Sequence, residues 1–486
     1  MNGHIAEAKQ AFKWTLYLRG LSQLVTWVIS LVVIRFLTPA DYAVVALTEI
    51  VFTLVLLLCS SGLGDALIQQ KQAEESFNRK TLNLLICLTT LMSGLLFFAA
   101  PQLATFYQQQ VLTDILRLSA LVFLCTPWLV LASSLLARKM DFKSRGLIDL
   151  YSAICTAVLS LYLAWQGFGF WALILSNLLN ILLRTIGYSW LIGRVYLPLV
   201  DFSQMWPALK FGLTVAATSL MFGLFMKVDI LLAGLTLPTE TLGFYALAMH
   251  LAILPMAKLM PLVNEVAFPM YARIRQHPEE CQRIFAKVLS LVSMTAFPFF
   301  LLFAAVVEPA VVLLLGENWR IVAAPLQLIL LTIPLRILSN LFSPLLKALG
   351  HPSTGLQHVT FSCGLVALMT WLVAPYGLLA LAWGWLLITP MMLLFALWLL
   401  TSRSGISWGV LWQNVHKPLI FSLLTFLFLQ YGTTWFGIPI PKPQVAQHWL
   451  MILEISAKGC LGLMCYFSLN WLFNRSQCQE LIKFRF

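Results

Sequence analysis

The chain has 486 residues, of which 60% are hydrophobic and only 10% charged, with a mean hydropathy of +0.86. Soluble domains carry roughly 25% charged residues, so this composition excludes a water-soluble enzyme or binding module and implies a chain that crosses a membrane many times. The net charge of +12 does not point to nucleic acid, because the basic residues gather in alternate loops between apolar runs, the positive-inside pattern.

Apolar runs of about 20 residues, the length that crosses a bilayer as a helix, predict fourteen spans. They fall near 13–36, 42–63, 80–100, 112–134, 147–165, 170–192, 207–235, 241–263, 286–307, 322–347, 355–375, 377–400, 416–436 and 448–472. The opening polar dozen residues and the absence of a small-residue cleavage site after 14–37 make the first run a retained helix. With both termini in the cytoplasm, the inside loops collect Lys71, Arg79, Lys80, Arg138, Lys139 and Lys143 in the first half alone. The outside edges hold only Arg35, Arg117, Arg320 and Lys442. One missing span would move every later loop to the wrong side. The longest loop is expected around 264–286, too short for a nucleotide-binding or glycosyl-transfer domain.

Two echoes divide the chain. Leu37, Pro39, Tyr42 and Ala43 recur as Leu237, Pro238, Tyr245 and Ala246, and the run Gly167–Leu173 (GFGFWAL) recurs as Pro375–Leu381 (PYGLLAL). Spans 1–6 and 7–12 therefore read as two six-helix lobes, with even span numbers giving both the same topology. The domains are placed at 1–195, 196–403 and, for an appended pair of helices with a cytoplasmic tail, 404–486.

Charges inside spans cost about 2.5–3.5 kcal/mol each at a helix centre, so they mark function or pairing. Span 1 carries Thr15, Arg19, Ser22, Gln23, Thr26 and Ser30 on one face, and span 10 carries Thr332, Arg336, Ser339, Asn340, Ser343 and Lys347 at the same spacing. Such stripes suit either a water-filled cavity or hydrogen bonding between helices. With an Arg in each, they point to a cationic wall, since the planar guanidinium fork matches phosphate. In span 7, Gly212, Gly223, Lys227 and Gly234 share one face, and Lys227 and Asp229 point in nearly opposite directions. Glu49, with Thr53 and Ser60 on one face of span 2, is a carboxylate for a coupling proton or for an ion pair. Arg184 is expected to reach toward the cytoplasmic edge, and Glu454 and Lys458 to neutralise each other along one helix face. The candidate substrate-binding set is Arg19, Gln23, Lys227, Arg336 and Asn340; the candidate coupling or charge-pair set is Glu49 and Asp229. Nine scattered cysteines without CxxC or Cys/His spacing give no metal site, and no phosphate-binding glycine loop followed by Lys-Ser/Thr is present, so no cofactor or ATP-driven step is expected.

The run VDILLAGLTLPTETLGFYALAMHLAILP, continuing to NEVAFPMYARI, is similar to the lipopolysaccharide and polysaccharide exporters of the multidrug/oligosaccharidyl-lipid/polysaccharide (MOP) flippase superfamily. LLLGENW at Leu313–Trp319, LLKALGHP at Leu345–Pro352, RFLTPADYAVVAL, SSGLGDALIQQ and GFGFWAL extend the resemblance over roughly residues 10 to 400. It implies an all-α polytopic fold of about fourteen transmembrane helices, two six-helix lobes in a V plus two C-terminal helices. It further implies a cationic cavity moving an undecaprenyl-diphosphate-linked oligosaccharide across the bacterial inner membrane by alternating access. Asp229 matches the family's span-7 Asp, whereas His351 stands where many members carry Arg. The partners implied are the lipid-linked glycan, membrane lipids and other polysaccharide-assembly proteins, not nucleic acid. The competing classes are a cation-coupled multidrug exporter on the same scaffold, a membrane enzyme or ligase acting on lipid-linked glycans, and a twelve-helix sugar symporter.

Overall fold

Backbone N–H and C=O groups in a bilayer find no water, so long apolar runs close their hydrogen bonds within each segment and become helices. A computed structural model of the chain describes residues 20–23, 25–69, 75–139, 141–194, 196–199, 201, 206–274, 276–351, 353–432 and 448–474. It contains helices and no strand among the described residues. In order they are α1 (Gly20–Ile34), α2 (Pro39–Gln69), α3 (Glu75–Phe106), α4 (Leu112–Phe123), α5 (Thr126–Arg138), α6 (Phe142–Trp165), α7 (Trp171–Ile192) and α8 (Trp206–Ala233). There follow α9 (Thr239–Ile274), α10 (Pro278–Ala305), α11 (Val307–Leu315), α12 (Ala323–Ala348), α13 (Ser353–Val373), α14 (Leu378–Ser404), α15 (Trp408–Leu427) and α16 (His448–Phe473).

Eleven of the described segments are long and apolar enough to cross a membrane, and twelve if the bent pair α4–α5 is one crossing. The expected fourteen would add α1, described only from Gly20, and α15, whose run carries Asn414, His416 and Lys417. Predicted span 4 is not straight. It turns by 47° between α4 and α5, where Pro127 occupies the first turn of α5 and supplies no N–H to continue the ladder. The loop expected at 264–286 is almost wholly helix: α9 runs on to Ile274 and α10 begins at Pro278. Counting apolar residues finds the membrane part of a helix, and nothing obliges the helix to stop at the bilayer surface.

The helices form two compact units that divide at Leu235–Thr236. The sequence repeat divides the chain before α8, and packing divides it after, because α8 lies along α2 in the first unit. Gly223 and Gly234 make that contact close: a Cβ on Gly223 would collide with Leu57, and one on Gly234 would come within 2.9 Å of Leu47.

The first copies of the two echoes meet in space. Asp41 closes the start of α2, its Oδ2 accepting from the Thr38 backbone N–H at 2.9 Å and hydroxyl at 2.7 Å. Its Oδ1 accepts from Phe170 N–H at 3.1 Å at the start of α7. Gly169 has φ +53°, and an added Cβ would lie 2.6 Å from Asp41 Oδ1. One carboxylate thus joins the two turns whose sequences recur in the second half.

In the second unit α12 is the central helix, packed by α9, α10 and α14. LLLGENW forms the turn before it, with Gly316 at φ +100° and the buried Trp319 meeting Phe244 edge-on at 5.9 Å. Helix α16 docks on α10, α11 and α15 by a face of four-residue steps from Glu454 through Lys458, Gly462 and Tyr466 to Asn470. Glu454 and Lys458 pair at 2.6 Å, and the Tyr466 hydroxyl donates to Met294 O at 3.1 Å. At the far end Lys417 of α15 donates to Phe473 O at 3.0 Å, a cation on a helix C-terminus.

Gly169→Ala should cost about 2–3 kcal/mol, from a left-handed backbone plus disturbance of the Asp41 joint. Gly167→Ala, at φ +80° with nothing near the new methyl, should cost only the backbone share of about 1–2 kcal/mol. Thermal unfolding of both variants in detergent measures the difference; equal losses would remove the joint as a source of stability.

Candidate functional site

The face of α8 that carries Gly223, Lys227 and Gly234 is the face that meets α2. The two glycines bring the helices close enough for Lys227 Nζ to reach Glu49 Oε2 at 3.0 Å. The pair is asymmetric, with side-chain exposures of 17% for Lys227 and 47% for Glu49. Lys227 is therefore held in a mostly dry contact while Glu49 opens outward. Glu49, expected to take a coupling proton or to form an ion pair, forms an ion pair, and its partner is Lys227. Asp229 lies elsewhere on α8 and is 1% exposed, so of the two span-7 charges Lys227 is the less deeply buried. Near the end of the same contact the Tyr107 hydroxyl donates to Leu231 O at 3.4 Å, and burial raises its pKa, keeping it a donor.

Arg19 lies outside the described residues. Gln23 is half-buried on α1, and Thr26 of the same stripe bonds back to Ser22 O at 2.9 Å.

Arg336 is 5% exposed. Its guanidinium lies over the Trp385 ring of α14 at 4.6 Å, and Trp385 Nε1 donates to the buried Tyr245 hydroxyl of α9 at 2.8 Å. The expected open cationic wall on α12 is thus an interior cation–π contact linking three helices. Asn340 spends its amide N–H on Arg336 O at 3.0 Å, Ser339 bonds Leu335 O at 3.1 Å, and Thr332 bonds Ile329 O at 2.7 Å. A helix carbonyl four residues back is always within reach of such side chains, so periodicity marked the stripe without fixing where its donors go.

Arg184 reaches toward the Ile192 end of α7 and meets partners there. Its Nε lies 2.9 Å from Asp149 Oδ1, close enough for an ion pair though not aligned as a hydrogen bond. Its Nη2 donates to the Tyr188 hydroxyl at 3.0 Å, which donates to the same carboxylate oxygen at 2.5 Å. The missed signal was the pair of four-residue steps, Arg145–Asp149 on α6 and Arg184–Tyr188 on α7.

Paired charges on a many-helix apolar scaffold define a multi-pass membrane protein. The lipid II flippase MurJ in its inward closed conformation superposes with a TM-score of 0.75 over 96% of this chain and 99% of MurJ, at 13% identity, a likeness of fold. A family model described as polysaccharide biosynthesis protein matches residues 32–324, and the chain belongs to that family. The teichuronic acid biosynthesis protein TuaB of Bacillus subtilis (strain 168) is 25% identical over 411 residues, 83% of each chain. The succinoglycan biosynthesis transport protein ExoT of Rhizobium meliloti (strain 1021) is 23% identical over 466 residues, 92% of this chain and 89% of its own.

Removing one member of the Lys227–Glu49 pair strands the other. Fully buried pairs lose about 3–5 kcal/mol on such a change and exposed ones about 0–1 kcal/mol. With Glu49 half exposed, Glu49→Gln and Lys227→Met should each cost an intermediate amount, about 1–2 kcal/mol. The double variant should recover most of it. A thermal-shift double-mutant cycle measures this, and additive losses would show that the two residues are not coupled.

Proposed function

We propose that this protein moves a lipid-linked oligosaccharide, carried on a polyprenyl diphosphate, across the bacterial inner membrane for surface polysaccharide assembly. The observation that carries the reading is the half-exposed Lys227–Glu49 pair in a chain of the polysaccharide biosynthesis family. The roles of the relatives and the structural neighbour, teichuronic acid biosynthesis, succinoglycan transport and lipid II flipping, support it.

In this reading Lys227 and Arg19 receive the diphosphate. Glu49 holds Lys227 charged and positioned while no anion is bound, and yields it when the diphosphate arrives with more negative charge and better acceptors. Protonation of Glu49 would release Lys227 in the same way, which makes it the carboxylate for ion coupling. Gln23 offers its amide to the sugar, and Asp229 acts as a buried partner charge. Arg336 positions α12 against α9 and α14. Exposure of the site to the two faces in turn moves the glycan, with both termini in the cytoplasm. The chain acts as a carrier and not an enzyme. A cationic-drug exporter is the poorer reading, because the half-exposed carboxylate is already matched by lysine.

In a strain lacking the gene, full-length glycan-lipid should accumulate on the cytoplasmic face of the inner membrane, and the wild-type chain should clear it. Charge-assisted contacts contribute about 1.5–3 kcal/mol, so Lys227→Gln and Arg19→Gln should each slow clearance by about ten-fold or more at equal protein level. Accumulation that never occurs, or clearance by both variants at the wild-type rate, would sink the reading.

A further inference from the structure

The contact between α6 and α7 in the first unit carries a basic cluster that the transport site does not use. Its deeper layer is neutral and complete. Asp149 takes the Tyr188 hydroxyl and Arg184, one carboxylate against one guanidinium. The outer layer is Arg145, one turn before Asp149 on α6, with its guanidinium 5.8 Å from the centroid of the Tyr188 ring. Among the described residues no carboxylate lies within ion-pair distance of Arg145, and its Nε is buried without a hydrogen-bond acceptor. The cluster therefore carries one surplus positive charge, fixed in place by an aromatic ring that the deeper pair holds still.

The location is a membrane surface. The apolar run of α6 begins at Lys143 and that of α7 ends at Ile192, so Arg145 sits within the first turn of the crossing. Lys139 and Lys143 are exposed beside it, and Trp190 of α7 faces outward near the same level, as interfacial anchors do. A guanidinium fork suits phosphate oxygens, and basic pockets between helices on the positive side of a membrane protein suit anionic headgroups. A zwitterionic headgroup would bring its own ammonium against Arg145, Lys139 and Lys143. A lipid diphosphate would bring more negative charge than one surplus guanidinium balances.

We propose that Arg145, presented on the Tyr188 ring above the Arg184–Asp149 pair, binds the phosphate of an anionic phospholipid in the leaflet that faces the basic loops. This site is separate from the transport site and does not rest on the transport reading.

The test uses the full chain, delipidated in detergent and offered phosphatidylglycerol, phosphatidylcholine and a short-chain polyprenyl diphosphate at equal mole fraction, with the retained lipid counted by native mass spectrometry. The wild-type chain should retain phosphatidylglycerol about five-fold over phosphatidylcholine, the preference one basic residue supplies near a charged surface. Arg145→Gln should bring the ratio to parity. If that variant does not fold, Arg145→Lys, which keeps the charge and loses the fork, should still lower the ratio by about half. No preference in the wild-type chain, an unchanged ratio in the variant measured, or retention of a short-chain polyprenyl diphosphate in place of phosphatidylglycerol each overturns the proposal.

Discussion

A lysine in the middle of the apolar helix α8 is costly in a membrane unless a partner answers it, and Glu49 of α2 does so at 3.0 Å. Much of the first unit follows from that requirement. The helices must approach closely for the ion pair to form, and Gly223 and Gly234 remove the side chains that would hold them apart. Once they are close, α8 belongs by packing to the helices that precede it and not to the half that it opens in the sequence repeat. The same pair is the accessible charge of the site, since Glu49 opens outward while Lys227 stays mostly covered. One interaction thereby holds two helices together across a contact that glycines make close.

The residues by which the family is recognised do a different job from those that would meet a substrate. Asp41 ties the start of α2 to the start of α7, while Phe244 and Tyr245 at the start of α9 meet Trp319 and Trp385. Each is a joint where helices begin, and each needs particular residue types. A carboxylate accepts from two turns at once, a glycine takes a backbone angle other residues resist, and a Trp N–H must find an acceptor when buried. Joints of this kind serve any glycan, which is why short motifs identify the scaffold better than its cargo.

Polar side chains inside the spans sort by whether the helix can satisfy them alone. Ser, Thr and Asn reach their own backbone carbonyls, and on α12 they do. Arg, Lys, Asp and Glu cannot be neutralised that way and must find one another or an aromatic face. Arg184 found Asp149, Lys458 found Glu454, Lys227 found Glu49 and Arg336 found Trp385. Of these, Lys458–Glu454 was legible in the sequence because both partners lie on one helix, four residues apart. The pairs that span two helices were not.

By itself the sequence determined the class, the helical fold, the approximate spans and the two recurring motifs. Those depend on composition, on run length and on residue order, all of which are local. It also picked out Lys227, Glu49 and Arg336 as the charges that needed explaining, because a charge in an apolar run is costly wherever the run ends up. Only the tertiary structure decided which charges meet, that span 4 bends, that α9 outruns the membrane and that Arg336 is interior. Those outcomes depend on which helix faces pack together, and residues such as Glu49 and Lys227, 178 positions apart in the chain, become neighbours only through that packing.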